Sequence, residues 1–193
     1  MSTAASPFRF DVGPVVVMGV SGSGKSLIGG RLAEALSVPF IEGDGLHPER
    51  NVAKMAAGEP LTDEDRGPWL DRVGARIFAA SAASGGAVAA CSALKRVYRD
   101  RLRRVAGSAL RFIFLEGSRE LLEERMTARK HHFMPASLLD SQFATLEPPE
   151  DEPGVLTIAV DAPPDEIVAR SLRWLETKRR AAGGPSAIDA GHR

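Results

Sequence analysis

Eight consecutive residues carry the plainest chemistry in this sequence. Gly19-Val20-Ser21-Gly22-Ser23-Gly24-Lys25-Ser26 matches G-x-x-x-x-G-K-[ST] at every fixed position. Glycines let a backbone fold tightly enough for successive N–H groups to point at phosphate oxygens. A helix starting near the lysine adds the positive end of its dipole. Lys25 would reach the β- and γ-phosphates of a nucleotide, and the Ser26 hydroxyl would ligate Mg2+. The candidate nucleotide-binding set is Gly19, Ser21, Gly22, Ser23, Gly24, Lys25, Ser26 and Leu27. Such a loop says which phosphates are bound, not what is done with them, because the same cradle serves kinases, GTPases, motors and regulators.

The acceptor has to be read from residues further along the chain. Glu42-Gly43-Asp44 ends a short apolar piece, and His47-Pro48 comes just after. In a parallel sheet, ligands gather at the carboxyl ends of the strands. Asp44 there could accept the proton of an attacking hydroxyl, and Glu42 could hold a Mg2+-bound water. The plainer reading of Asp44 is a turn aspartate bonding its own backbone. Lys54, Asp63, Asp65 and Arg66 could meet hydroxyls and a carboxylate, although each taken singly reads as a solvated charge. Lys95 and Arg99 stand at i, i+4 and could share one helix face as a cationic pocket for an anionic acceptor. Cys91, with no activating partner in sight, reads as a small buried residue.

Arg125 and Arg129 are a second i, i+4 pair, just ahead of the helix-breaking His131-His132-Phe133-Met134-Pro135. Two arginines beside a break suit a lid that closes over the triphosphate and neutralises transition-state charge. The His-His pair lacks a third ligand at metal spacing.

These groups need a scaffold, and the periodicity supplies one. Pro14–Gly19 is apolar without alternation, as in a strand buried on both faces. Ser26–Leu36 has Leu27, Ile28, Leu32 and Leu36 at helical spacing, and Val38–Ile41 reads as a second strand. A short helix is expected at Asn51–Ala57. Thr62 and Asp65 form a capping-box-like pair before a helix expected at Pro68–Ala83. Strands are expected at Ala87–Ala90, Arg111–Leu115 and Val155–Val160. Helices are expected within Ser92–Val105 and at Arg119–Lys130, Ala136–Leu146 and Asp165–Lys178. Five strands alternating with helices predict an α/β class: a three-layer fold with a five-stranded parallel sheet flanked by helices and a small helical lid. The expected organisation is a flexible N-terminus (1–13), a single domain (14–178) with its lid at about 125–147, and a loose tail (179–193). By position relative to the last strand, Arg129 and the loop Asp161–Pro163 are candidates to meet the adenine.

Composition excludes other classes. The chain has 193 residues, with 25 Lys+Arg against 25 Asp+Glu, and 44% hydrophobic residues. Zero net charge argues against bulk electrostatic attachment to nucleic acid. A single cysteine excludes an intrachain disulfide framework and fits a reducing cytosol. The start lacks a basic region followed by a long apolar run, and Val15–Val20 is far too short to span a bilayer.

Four blocks in order resemble the gluconokinases of the nucleoside-monophosphate-kinase-like P-loop group: GVSGSGKS, EGDGLHPERNVAKMAAGEPLTDEDRGPWL, CSALKRVYRDRLR and ARKHHFMPASLLDSQFATLEPP. The likeness runs from about Val15 to Trp174, and the middle blocks are its most specific part. It implies ATP- and Mg2+-dependent phosphorylation of D-gluconate at the 6-hydroxyl by a cytosolic, often dimeric enzyme. Carried over residue by residue, Lys25 and Ser26 match the phosphate loop and Asp44 the candidate base. His47, Lys54 and Arg66 match the acceptor loop, Lys95 and Arg99 the SALKxxYR block, and Arg125 and Arg129 the lid. Glu42 stands where this family usually has Asp, and His131 where a Gly is usual. The rival readings are another small-molecule kinase of this fold, such as a shikimate kinase, or a nucleotide-binding regulator without transfer.

Overall fold

A computed structural model describes residues 12–128 and 136–181. Five parallel strands run in the order β2-β3-β1-β4-β5. They are β1 (Gly13–Met18), β2 (Phe40–Glu42), β3 (Gly86–Ala90), β4 (Arg111–Glu116) and β5 (Val155–Ala159). The helices are α1 (Lys25–Leu36), α2 (Glu49–Ala56), α3 (Asp63–Ser84), α4 (Arg96–Ala106), α5 (Arg119–Thr127), α6 (Ala136–Thr145) and α7 (Pro164–Ala181). The expected fold class is what the structure has.

β1 lies at the centre of the sheet, with Val15 paired to Val88 on one side and to Arg111 on the other. Its side chains split between two cores. Val15 and Val17 join Ile28 and Leu32 of α1 with Ile167 and Leu175 of α7. Val16 and Met18 join Trp69, Leu70, Val73 and Ile77 of α3 with Tyr98 and Leu102 of α4. Burial on both faces explains why the sequence of β1 shows no alternation. At Gly74 of α3 an added Cβ would stand 2.8 Å from the Val105 Cβ of α4, so the glycine permits the close approach of these helices. Arg101 closes the pair with a two-pronged bond to Asp71, at 2.7 and 2.6 Å.

Most element boundaries fall within two residues of expectation. The main exception is α3, which begins at Asp63 rather than at Pro68. Thr62 caps it: its hydroxyl accepts from the Asp65 N–H, and the Asp65 carboxylate accepts from the Thr62 N–H. Both bonds satisfy donors that a helix start leaves open. Pro68 sits inside the helix, where it forgoes a bond to the Glu64 carbonyl. At the two ends, β1 opens at Gly13 and α7 continues to Ala181, so regular structure takes in the last residue of the segment expected to be loose at 1–13 and the first three of the one expected at 179–193. Their outer parts, residues 1–11 and 182–193, lie outside the described residues. So do Arg129 and the break expected at His131–Pro135.

The loop ahead of β5 is locked by Glu152, whose carboxylate accepts from Arg99 Nε at 2.8 Å and from Arg103 Nη1 at 2.6 Å. Burial pushes this carboxyl up, but the bonds from Arg99 and Arg103 outweigh it and hold it below its ordinary range. Folding therefore favours the carboxylate, and stability must fall as pH falls. Glu152→Gln is expected to cost about 3 kcal/mol at pH 7, since it strands a buried guanidinium. The difference from the parent protein should be fully present above pH 4.5 and shrink as pH drops through the lowered value. Urea titrations of both proteins at pH 7 and in acid check this; equal midpoints at pH 7 would refute it.

Candidate active site

At the carboxyl end of β1 the chain turns under steric constraint. Gly19 has φ 143°, and a Cβ there would lie 2.8 Å from the Leu115 carbonyl oxygen. Gly22 has φ 82°, and a Cβ there would meet the Leu122 carbonyl oxygen at 3.0 Å and Met126 Cγ at 3.1 Å. The loop is thus pressed between the end of β4 and helix α5. Gly24 ends it in a left-handed conformation, with no side-chain cap on α1.

The backbone N–H groups of Gly22, Gly24, Ser26 and Leu27 have no acceptor among the described residues. Ser23 Oγ is buried and also has no partner among them. Lys25 Nζ donates to the Val20 carbonyl at 3.1 Å, folded back along the loop. Converging open donors at a helix N-terminus fit a polyphosphate. Exposed Ser26 and Glu42 offer oxygen donors at the same edge. Among the described residues no cluster of three His, Cys, Asp or Glu side chains could hold a metal alone. That donor set suits Mg2+, which is ordinarily held by one or two protein oxygens together with phosphates and water.

The acceptor side is built on the adjoining edge. β2 ends at Glu42, and the Gly43 N–H bonds the Ala90 carbonyl of β3 at 2.9 Å. A Cβ at Gly43 would fall 2.3 Å from that oxygen, so only glycine fits. A single 3-10 turn, Asp44–Leu46, comes next. Trp69 Nε1 donates to the Gly43 carbonyl at 2.8 Å, and the His47 ring stacks on the Trp69 indole at 4.0 Å. Asp44 is exposed, and its carboxylate has no hydrogen-bond partner among the described residues. It is therefore not a turn aspartate bonded to its own backbone. Lys25, Asp44 and Arg66 all act electrostatically on Cys91, whose thiol burial pushes up to about 12. They converge around the end of β3.

His47 is held neutral. Burial lowers it to about 4, with Arg66 adding to the effect and Asp44 opposing it. Fully buried Asn51 directs its amide nitrogen to the Asp65 carbonyl at 2.9 Å and to His47 Nδ1 at 3.4 Å. That orientation makes Nδ1 the acceptor and leaves the proton on Nε2.

The four expected acceptor cations divide sharply. Lys54 pairs with Asp65 at 2.7 Å, and that bond, then the Thr62 N–H, holds the Asp65 carboxyl down at about 2. Lys95 bonds both oxygens of Asp63, at 2.8 and 2.9 Å. The Tyr98 hydroxyl donates to Asp63 as well, and burial followed by that contact pushes the phenol up. Arg99 is a correction. It is 1% exposed and engaged by Glu152 and by the Ala93 and Leu94 carbonyls at 3.2 and 3.0 Å, so it shapes the loop and cannot meet an acceptor. Lys95 stands at the N-cap position, ahead of the first turn of α4, while Arg99 points into the core, so the pair shares no open face. Arg66 alone of the four has no acidic partner among the described residues. It lies over the Tyr98 ring at 5.8 Å, with its Nε buried and unbonded.

Where the lid is expected to start, Arg125 Nη2 donates to the Val160 carbonyl at 2.7 Å, tying α5 to the loop after β5. Residues to which the sequence reading gave no such role also shape the site. Asp63 and Tyr98 fix Lys95, Asn51 sets His47, and Gln142 of α6 bonds Ser21 in the phosphate loop. Only spatial proximity reveals these roles, since no local pattern carries them.

Most of the chain has counterparts among known proteins. A family model described as an AAA domain matches residues 15–149. The thermoresistant gluconokinase of Escherichia coli K12 is 46% identical over 162 residues, covering 83% of this chain and 92% of that protein. The gluconokinase of Gluconobacter oxydans is 44% identical over 164 residues, 85% of this chain and 92% of its own length. A crystal structure of a gluconokinase from Sinorhizobium meliloti 1021 superposes with a TM-score of 0.80 at 48% identity, covering 93% of this chain and 98% of that one. On this phosphate loop, this acceptor edge and likeness over most of its length, the chain belongs to the gluconokinase family of P-loop kinases.

Proposed function

We propose that this protein transfers the terminal phosphoryl group of ATP to the 6-hydroxyl of D-gluconate, giving 6-phospho-D-gluconate and ADP. The observation that carries the reading is Asp44: a carboxylate with no hydrogen-bond partner among the described residues, just past the end of β2, on the same sheet edge as the donor-rich loop. The acceptor oxygen bonds the γ-phosphorus as the bridging bond to the β-phosphate breaks. The hydroxyl proton passes to Asp44. The loop N–H groups and Lys25 hold the phosphates in line, and Arg125 belongs to the closing side. Arg129, outside the described residues, is assigned there by family likeness. Ser26, with Glu42 through water, would hold Mg2+, which when bound neutralises developing phosphate charge.

Arg66 is the cation left to receive the gluconate carboxylate. Lys54 and Lys95 already carry acidic partners, so they shape the rim and offer their remaining donors to hydroxyls. Neutral His47 offers Nε2–H to a hydroxyl without adding charge. A shikimate kinase or a regulator is not favoured, because likeness to gluconokinases extends through the acceptor blocks. The family likeness also supports a cytosolic homodimer whose product enters sugar-acid catabolism by the pentose phosphate route.

Each assignment has its own measurement. Asp44→Asn should lower kcat about a thousandfold, the range of one acid–base group, with little change in KM for ATP. An unchanged kcat removes Asp44 as the base. Arg66→Met should raise KM for gluconate about thirtyfold, the loss of a charge-assisted bond, and weaken binding of an uncharged polyol far less. Equal effects on both acceptors would unseat the carboxylate assignment. By NMR, the His47 ring should titrate near pH 4. A midpoint at the ordinary 6.5 would mean that the ring is not held neutral by its surroundings.

A further inference from the structure

Within the phosphate loop, Ser21 is treated differently from its neighbours. Its backbone N–H donates to Gln142 Oε1 at 2.7 Å, and Gln142 Nε2 donates to Ser21 Oγ at 3.0 Å. The two residues are 121 apart in sequence. One neutral amide therefore grips both polar handles of a residue flanked by open donors.

The helix carrying Gln142 is itself anchored at both ends. Leu139 is 1% exposed, and Phe143 and Leu146 pack against the same core as α1. Asp140 pairs with Arg119 of α5, whose guanidinium covers the Phe143 ring at 4.8 Å. Past the helix, the Glu147 N–H bonds the Leu94 carbonyl at 3.0 Å, and the Glu147 carboxylate accepts the Arg96 N–H that starts α4, at 2.6 Å. α6 thus spans from α5, next to the nucleotide side, to the turn before α4, next to the acceptor side. Gln142 sits between these anchors, against the loop.

We propose that Gln142 is a positioning residue for the nucleotide phosphates, fixing the phosphate loop at Ser21 so that its open N–H groups are preorganised. The loop is rich in glycine, and an unfixed glycine-rich loop would have to lose conformational freedom as the phosphates bind. Neutrality matters in this role, because a carboxylate of the same shape could accept from the Ser21 N–H but would repel a polyphosphate. The inference rests on the reading of this loop as the ATP site.

The test is steady-state kinetics and unliganded melting of Gln142→Leu and Gln142→Glu. Gln142→Leu should raise KM for Mg-ATP about tenfold, the equivalent of one good hydrogen bond. KM for gluconate should stay within about twofold, because only the nucleotide side loses a fixed group. Gln142→Glu should raise KM for Mg-ATP at least as much, while its melting temperature stays within about 3 °C of the parent, the shift of roughly one kcal/mol. An unchanged KM for Mg-ATP in both variants overturns the proposal. So does a parallel rise of both KM values with a large loss of melting temperature, which would mark a purely structural contact. If Gln142→Leu does not fold, Ser21→Ala reads the Nε2 bond alone, with a rise of about threefold expected and no rise counting against the proposal. Failure of the parent protein to saturate with Mg-ATP would instead remove the phosphate-loop reading, and the inference with it.

Discussion

Backbone donors left open in a folded protein demand a partner, and the end of β1 gathers several of them. The N–H groups of Gly22, Gly24, Ser26 and Leu27 find no acceptor among the described residues, which leaves them to water or an anion. The surrounding packing makes that arrangement possible. β1 is buried on both faces and paired on both sides, so its end is fixed in space. The end of β4 and the α5 backbone press the loop so closely that side chains at Gly19 and Gly22 would collide. The donors are therefore aimed by packing and by the bonds that hold Ser21, not by any acceptor of their own. This is the logic of electrostatic preorganisation: the orienting work is done during folding, not during the reaction.

The neutral net charge of the chain conceals an uneven distribution at the acceptor edge. Lys54 and Lys95 are each matched to an aspartate, which keeps the rim from being a general anion trap. Burial keeps His47 uncharged beside Asp44, so the candidate base is not held in an ion pair with its nearest histidine. Arg66, lying over Tyr98 and making no ion pair among the described residues, with Asp63 acting on it only through space, is the charge left for an anionic group. A site with one such cation and several neutral or compensated donors suits a monoanionic polyol. It suits a multiply charged acceptor poorly.

The phosphate loop, the five strands and the exposed Asp44 are legible in the sequence because each depends on local pattern: glycine spacing, apolar runs, a short turn after a strand. The start of α3 is harder to place. Pro68 suggests a first turn, but the two reciprocal bonds of Thr62 and Asp65 decide the boundary. Arg99 misleads for a different reason. Its i, i+4 relation to Lys95 is real in sequence, but Lys95 precedes the first turn of α4, and Glu152 claims the guanidinium from 53 residues away. Asn51 and Gln142 fall inside the blocks that carry the family likeness, but their contacts are not legible there, since an amide's role depends on what it faces across the fold.

The first two turns of α3 show why these pieces cannot be tuned one by one. Asp63 fixes Lys95 and Tyr98; Asp65 fixes Lys54 and the helix start; Arg66 lies over Tyr98; Trp69 holds the Gly43 carbonyl and the His47 ring. Each side chain meets a different segment of the acceptor edge. Rotating the helix by one residue, about 100°, would misdirect all of them together. The capping box is then more than a helix start. By setting where α3 begins, it sets which face of the helix each of these residues occupies, and so the register of the whole acceptor edge against Asp44. A proline at the sixth helical position is tolerable in that setting, because the boundary is already fixed about one and a half turns upstream and the tryptophan beyond it is locked by its own bond.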